Sequence, residues 1–287
     1  MSSSTTSRAA LVTGCSSGIG RATAERLAGA GWTVYATARK PETLGDLEAR
    51  GCRTLALDVT DEASMTAAVG AVEAEHGAVG ALVNNAGYSQ SGAIETVPME
   101  RVRAQFETNV FGLVRLCQLV LPAMRRARTG RIVNLSSMGG RLVFPGGGYY
   151  HATKYAVEAI SDALRFEVKG FGIAVIIIEP GLIRTEFGST AAGGVTQAGE
   201  GEGDYAQFNA HVAHATESVY ESGGPIGRLG GPPDAVAKVI EKALSARRPR
   251  PRYTVTASAK VLLAQRALLP DRGWDAVMRS QFPQPGR

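Results

Sequence analysis

The stretch "AALVTGCSSGIGRATAERLAGAGWTVYATARK", residues 9–40, decides the fold. "AALV" is a short apolar run closed by Thr13 and Gly14, the pattern of a buried strand. Ile19, Ala22 and Leu27 then recur at helical spacing, and Gly31 stops that helix. "WTVYATA" is a second strand. Strand, glycine loop, helix and strand over about thirty residues form a βαβ unit, whose strands lie parallel in one sheet.

The alternation continues along the chain. Pro41 opens a helix to about Arg50, and "RTLALDV" is a strand. "DEASMTAAVGAVEAEHG" is a helix capped by Thr60 or Asp61, followed by the strand and exit loop "GALVNNAG". A long helix from about Met99 to Arg126 precedes the strand "RIVNLSS". A helix through Tyr150 to about Lys169 precedes "IAVIIIEPG". Apolar strands alternating with helices predict an α/β fold: a doubly wound, Rossmann-type parallel sheet covered on both faces. The 287 residues are read as a single domain. Residues 1–8 are expected to be a disordered tail, and residues 186–230, rich in glycine, a mobile substrate lid. A helix from Pro233 to Ala246, a strand "RYTVTA" and an amphipathic tail "KVLLAQRALLP" complete the pattern.

Composition excludes several functions. The net charge is +5, from 31 basic and 26 acidic residues. The two basic clusters, "RRARTGR" and "ARRPRPR", lack interleaved aromatics and read as solvated surface, so no nucleic-acid partner is expected. Cys15, Cys52 and Cys117 form neither a disulfide framework nor a zinc spacing, and no metal is expected. "MSSSTTSR" has no apolar core, and "AVIII" and "LVLPAM" are too short to span a bilayer. The expectation is a soluble, cytoplasmic protein.

Gly14, Gly18 and Gly20 stand between the first strand and the first helix, with Ser16, Ser17 and Ile19 completing the loop. Glycines there let backbone N–H groups approach a pyrophosphate at a helix N-terminus. The second strand ends in "ATARK", with Arg39 where a carboxylate would accept the ribose of NAD. A guanidinium forks onto a phosphate, and Ser17 offers a hydroxyl, so the expected cofactor is NADP(H).

"GGGYYHATKYAVEA", residues 146–159, holds Tyr149, Tyr150 and Tyr155. A phenol ionises only near pH 10, so acid–base work at neutral pH is expected to need a cation nearby. Only Tyr150 has one on its own helix face, Lys154 at i+4. Tyr155 joins Ala152, Ala156, Ala159 and Ala163 in an apolar stripe and reads as core. Tyr149 reads as a wall or surface residue.

"TGCSSGIG", "NNAG", "NLSS", "YHATK" and "PGLIRT" follow one another over the first 190 residues. In this set the chain resembles the short-chain dehydrogenase/reductase family. That resemblance implies a tyrosine with a lysine four residues on and a serine thirteen residues back. Counting back reaches Ser137 from Tyr150 and Ser136 from Tyr149, so Lys154 makes the choice. By resemblance, Tyr150 exchanges the proton at the substrate oxygen and Ser137 hydrogen-bonds that oxygen. Lys154 binds the nicotinamide ribose and lowers the tyrosine pKa, and Asn109 holds a relay water. The resemblance also places Asp58 and Val59 near the adenine and Asn85, Ala86 and Gly87 over the adenosine ribose. Pro180, Gly181, Ile183 and Thr185 would lie at the nicotinamide.

"VYATARKPE", "IEPGLIRTEF" and "RYTVTASAKVLLAQRALLPDR" resemble a 17β-hydroxysteroid-dehydrogenase-like branch. The implied reaction is hydride transfer between nicotinamide and a ketone or secondary alcohol of a hydrophobic, steroid-like or polyketide-like substrate. Phe144, Tyr149, Phe187, Tyr205 and Phe208 are candidate wall residues, with Tyr220 on the same segment. His211 and His214 are read as solvated helix positions. A reductase of carrier-bound or CoA-bound β-ketoacyl chains, docking near Arg184 or Arg228, is the alternative; a non-catalytic NADP-binding regulator is a remote one. Family resemblance implies a homodimer or homotetramer.

Overall fold

The computed structural model describes residues 7–185, 203–220 and 229–286. Seven parallel strands form one sheet in the order β3-β2-β1-β4-β5-β6-β7. They are β1 (Ala9–Val12), β2 (Thr33–Ala38), β3 (Arg53–Ala56), β4 (Ala81–Asn84), β5 (Gly130–Leu135), β6 (Ile173–Pro180) and β7 (Arg252–Val255). This is the doubly wound sheet that the alternation predicts. β1 lies between β2 and β4, so the winding direction reverses there, and a crevice opens beyond the strand C-termini.

Both faces are covered. On one, α1 (Gly18–Gly29) and α8 (Pro233–Ser245) pack side by side, with Ala24, Leu27, Val236 and Ile240 fully buried over Val12, Val34 and Ile176. On the other lie α3 (Glu62–His76), α5 (Gly112–Ala127) and α6 (Gly148–Val168), burying Val72, Leu116, Val120 and Val157 against Leu11, Leu82 and Ile132. Two-sided burial explains why the strands read as unbroken apolar runs rather than alternating ones.

Local differences have local causes. The segment after Pro41 is a 3-10 turn (Pro41–Leu44) and a five-residue α2 (Gly45–Ala49), and the chain turns away just beyond it at Gly51, with φ +84°. Asp61, not Thr60, caps α3, accepting the Ala63 N–H at 2.9 Å. The long fourth helix is α4 (Met99–Phe106) running through a π-helical turn at Glu107–Phe111 into α5. After β6 come α7 (Ala206–Tyr220), α8 and β7. The amphipathic tail is two helices, α9 (Ala257–Leu268) and α10 (Asp271–Gln281). Among the described residues, no helix is long and apolar enough to cross a membrane.

The basic clusters are only partly solvated. Arg131 reaches the Ala246 carbonyl, and Arg252 pairs with Glu158 and Asp162 of α6 at 2.9 and 2.6 Å. Tyr155, expected in the core, is 42% exposed. The buried stripe of α6 is instead Thr153, Lys154, Val157, Glu158 and Ser161. Most of those are polar because partners on β5, β7 and the π-helical turn await them.

Candidate active site

One cavity of about 1120 Å³ occupies the crevice at the strand C-termini. Its first wall is the turn after β1. Gly14 has φ +71°, and a Cβ on Gly20 would collide with the Gly14 carbonyl, so loop and helix meet more closely than side chains allow. Asn85 ties the same turn down, donating from Nδ2 to the Thr13 and Gly14 carbonyls at 2.8 and 3.1 Å. Ser17 is the N-cap of α1, yet its hydroxyl makes no capping bond, and the first turn carries no acid. Those N–H groups and that hydroxyl are thus available to an anion.

Ser16, Ser17, Gly18, Ile19, Arg39, Asp58, Val59, Asn85, Ala86 and Gly87 line this end of the cavity with Gly14. Arg39 is exposed at the end of β2. Asp58 already accepts the Thr60 N–H and hydroxyl at 2.9 and 2.8 Å, holding the turn into α3. Pro180, Gly181, Ile183 and Thr185 line the far side of the same cavity.

At its floor stand Ser137, Tyr150 and Lys154. β5 ends at Leu135, and a 3-10 turn at Met138–Gly140 carries the Ser137 loop over α6. The Ser137 hydroxyl bonds the Tyr150 phenol. Ser136 bonds Glu158 instead, which separates the two serines that sequence spacing leaves equivalent. Lys154 Nζ lies 5.8 Å from the Tyr150 ring centre and donates to the Leu135 carbonyl at 2.8 Å.

Electrostatics at this floor differ from the expectation that Lys154 lowers the Tyr150 pKa. Burial raises the phenol to about 12, with the Ser137 hydrogen bond working against it. Burial likewise lowers Lys154 to about 8, opposed by the Glu158 carboxylate. Desolvation disfavours each charged form and outweighs the Ser137 hydrogen bond at Tyr150 and the Glu158 charge at Lys154. In this chain Tyr150 is a phenol at neutral pH.

Asn109 does not stand on the cavity wall. It is buried in the π-helical turn, donates to the Tyr88 carbonyl at 2.9 Å and Thr153 Oγ1 at 3.1 Å, and accepts the Tyr88 N–H at 3.1 Å. Its carboxamide holds the loop after β4 against α6.

Phe144 lines the cavity, but Tyr149, Tyr205 and Phe208 do not. Tyr149 turns away, donating to the Ile94 carbonyl at 3.0 Å and packing on Val97 and Val102. Tyr205 donates to Glu95 at 2.7 Å, and Phe208 packs on Ala93 and Val212. His211 binds the Gln281 carbonyl at 2.7 Å, joining α7 to α10, and His214 is exposed. Phe187, Arg228, the Tyr220 side chain and most of the lid region lie outside the described residues.

Val212, Ala215 and Thr216 of α7 form part of the remaining wall, and the C-terminal helices form the rest. Leu262 of α9 and Trp274, Val277, Met278 and Gln281 of α10 face the cavity. The last four recur at i, i+3, i+4 and i+7, one helix face, and that spacing is the signal that marks them.

A parallel sheet with a glycine turn at its switch point, and a Ser–Tyr–Lys group in the same crevice, define a dinucleotide-dependent oxidoreductase. The profile of the short chain dehydrogenase family matches residues 8–193, and the chain belongs to that family. It is 45% identical over 178 residues to a 3-ketodihydrosphingosine reductase of Bacteroides thetaiotaomicron, a match covering 62% of this chain and 64% of that one. It is 37% identical over 280 residues to an NADPH-dependent 3-dehydrocapnine reductase of Ornithobacterium rhinotracheale, covering 94% and 95%. A solved short-chain dehydrogenase from Streptomyces avermitilis superposes with TM-score 0.76 at 38% identity, over 95% of this chain and 97% of that one.

Proposed function

We propose that the protein is an NADP(H)-dependent ketoreductase acting on a hydrophobic ketone, with Tyr150 as the general acid. One observation carries the reading: Ser137, Tyr150 and Lys154 converge in the same cavity as the glycine turn and Arg39. A dinucleotide fits the residues present, since the close Gly14–Gly20 approach leaves a cradle and Ser17 keeps its hydroxyl unspent. Gly14, Ser16, Ser17, Gly18 and Ile19 would hold the pyrophosphate, Arg39 the 2′-phosphate, and Asp58, Val59 and Asn85 to Gly87 the adenosine. Lys154, Pro180, Gly181, Ile183 and Thr185 would hold the nicotinamide end. When bound, NADPH supplies the hydride that reduces the carbonyl carbon.

The chain's own residues manage the oxygen. Tyr150, kept protonated by burial, donates its proton to the carbonyl oxygen as negative charge develops there. Ser137 donates a hydrogen bond to the same oxygen and stabilises that charge. The Lys154 ammonium, held by the Leu135 carbonyl, offers positive charge beside the phenol as it becomes phenolate. Phe144, Leu262, Val277 and Met278 exclude water and accept the apolar body of the substrate. The relatives named for 3-ketodihydrosphingosine and 3-dehydrocapnine support a 3-keto group as the reacting carbonyl.

The test is NADPH oxidation by the purified protein across a panel of ketones of increasing chain length, with NADH in parallel. Turnover with apolar ketones, faster with NADPH, is the expected result. No turnover with any ketone, or preference for NADH, overturns the reading.

A further inference from the structure

His151 stands beside Tyr150 on α6, is 6% exposed, and has no part in the chemistry above. Both of its nitrogens are engaged by backbone. The Phe144 N–H donates to Nε2 at 3.2 Å, so that nitrogen carries no proton. The neutral ring therefore has its hydrogen on Nδ1, where it donates to the Gly139 carbonyl at 3.0 Å. The Gly139 N–H donates in turn to Ser137 Oγ at 3.0 Å. That bond takes one of the two Ser137 lone pairs and fixes Oγ beside the Tyr150 oxygen, to which it is bonded, leaving the hydroxyl hydrogen for the substrate oxygen when a ketone is present.

The ring also occupies a fitted space. A Cβ on Gly139 would strike Nδ1, and a Cβ on Gly147 would strike Nε2. Tyr150 meets the ring edge-on at 5.7 Å, and Phe144 lies at 5.9 Å. One imidazole thus spans two loops, one carrying Ser137 and the other carrying Phe144 of the substrate wall.

We propose that His151 is a positioning residue, fixing Ser137 through Gly139 with its Nδ1–H and fixing Phe144 with Nε2. The proposal rests on the ketoreductase reading of Ser137 and Tyr150. It requires a neutral ring, because a protonated one would set an Nε2–H against the Phe144 N–H.

Two conservative variants separate the two functions. In His151→Asn, an amide N–H can stand in for Nδ1–H and serve Gly139, while Phe144 loses its acceptor. In His151→Gln, the amide oxygen can reach the place of Nε2 and serve Phe144, while Gly139 loses its donor. His151→Asn should raise KM for the ketone about tenfold with kcat within about twofold; His151→Gln should lower kcat about tenfold with KM within about twofold. Equal losses in both variants, or none in either, overturn the proposal. A wild type that oxidises no NADPH with ketones refutes the ketoreductase reading instead. Should either variant fail to fold, imidazole nitrogen NMR of the wild type still decides: Nδ1–H neutral at pH 7 is expected, and a charged ring or an Nε2–H tautomer overturns the proposal.

Discussion

Lys154 and Glu158 stand one helical turn apart on α6, each only 7% exposed, and the carboxylate holds up a lysine pKa that burial pulls down to about 8. Glu158 is itself anchored by Arg252 at 2.9 Å. The ammonium beside Tyr150 therefore depends on a network reaching to β7. Activity should fall as pH rises through about 8, where Lys154 loses its charge. Glu158→Gln removes the supporting charge, so the basic limb of kcat/KM should move to lower pH. A limb that stays in place would separate it from Lys154. Stability follows the opposite trend: a lysine depressed in the folded state contributes least below about pH 8, and its cost is relieved as pH rises towards the unfolded value near 10.4.

The neighbouring tyrosines should behave differently. Tyr150→Phe removes the proton donor and should lower kcat by about 10²–10⁴-fold while NADPH still binds. Tyr149→Phe removes only the bond to the Ile94 carbonyl, worth about 1 kcal/mol. It should lower Tm by a few degrees and leave kcat unchanged. Steady-state kinetics beside thermal melts of both variants make the comparison, and a kinetic defect in Tyr149→Phe would return that ring to the substrate wall.

Features confined to one turn or one strand were legible in the sequence. The glycine turn, the apolar strands and the Tyr150–Lys154 spacing each sit within a few residues, where periodicity reports directly on geometry. The burial of α6 was not, because small apolar residues at 152, 156, 159 and 163 gave a stripe without the volume to define a core. Lys154, Glu158 and Ser161 are buried because Leu135, Arg252 and Asn134 meet them, contacts made over 19 residues or more. The cavity wall of α9 and α10 joins Phe144 to Trp274, whose rings lie 6.2 Å apart. Helical spacing gives that face but not its destination. The direction of the Tyr150 pKa is hidden for a related reason: a sequence shows a charged neighbour but not the burial that raises the phenol.

Arg39 should decide between the two nicotinamide cofactors. Its guanidinium is exposed at the end of β2 and lines the cavity, where a 2′-phosphate offers charge-assisted hydrogen bonds. Such bonds contribute about 1.5–3 kcal/mol, so Arg39→Ala should weaken NADPH by about 10–100-fold. NADH lacks the phosphate and should be nearly unaffected. Titration of both cofactors by tryptophan fluorescence measures this, and equal weakening would assign Arg39 to the shape of the turn rather than to the phosphate.

His151 should make the protein sensitive to acid. Burial holds its pKa to about 4, whereas an unfolded histidine takes a proton near 6.5. Between those values the unfolded chain binds more protons than the folded one, so stability declines as pH falls from about 6.5 to about 4. Above that window neither state is charged and the contribution is whole; below it both are charged and no more is lost. The full span is worth about 3 kcal/mol. Urea unfolding of wild type and His151→Asn at several pH values isolates the effect, since every other titrating group is common to both. The difference between them should shrink steadily towards pH 4. A difference independent of pH would mean that the ring is protonated equally in both states and is not the neutral link between Gly139 and Phe144.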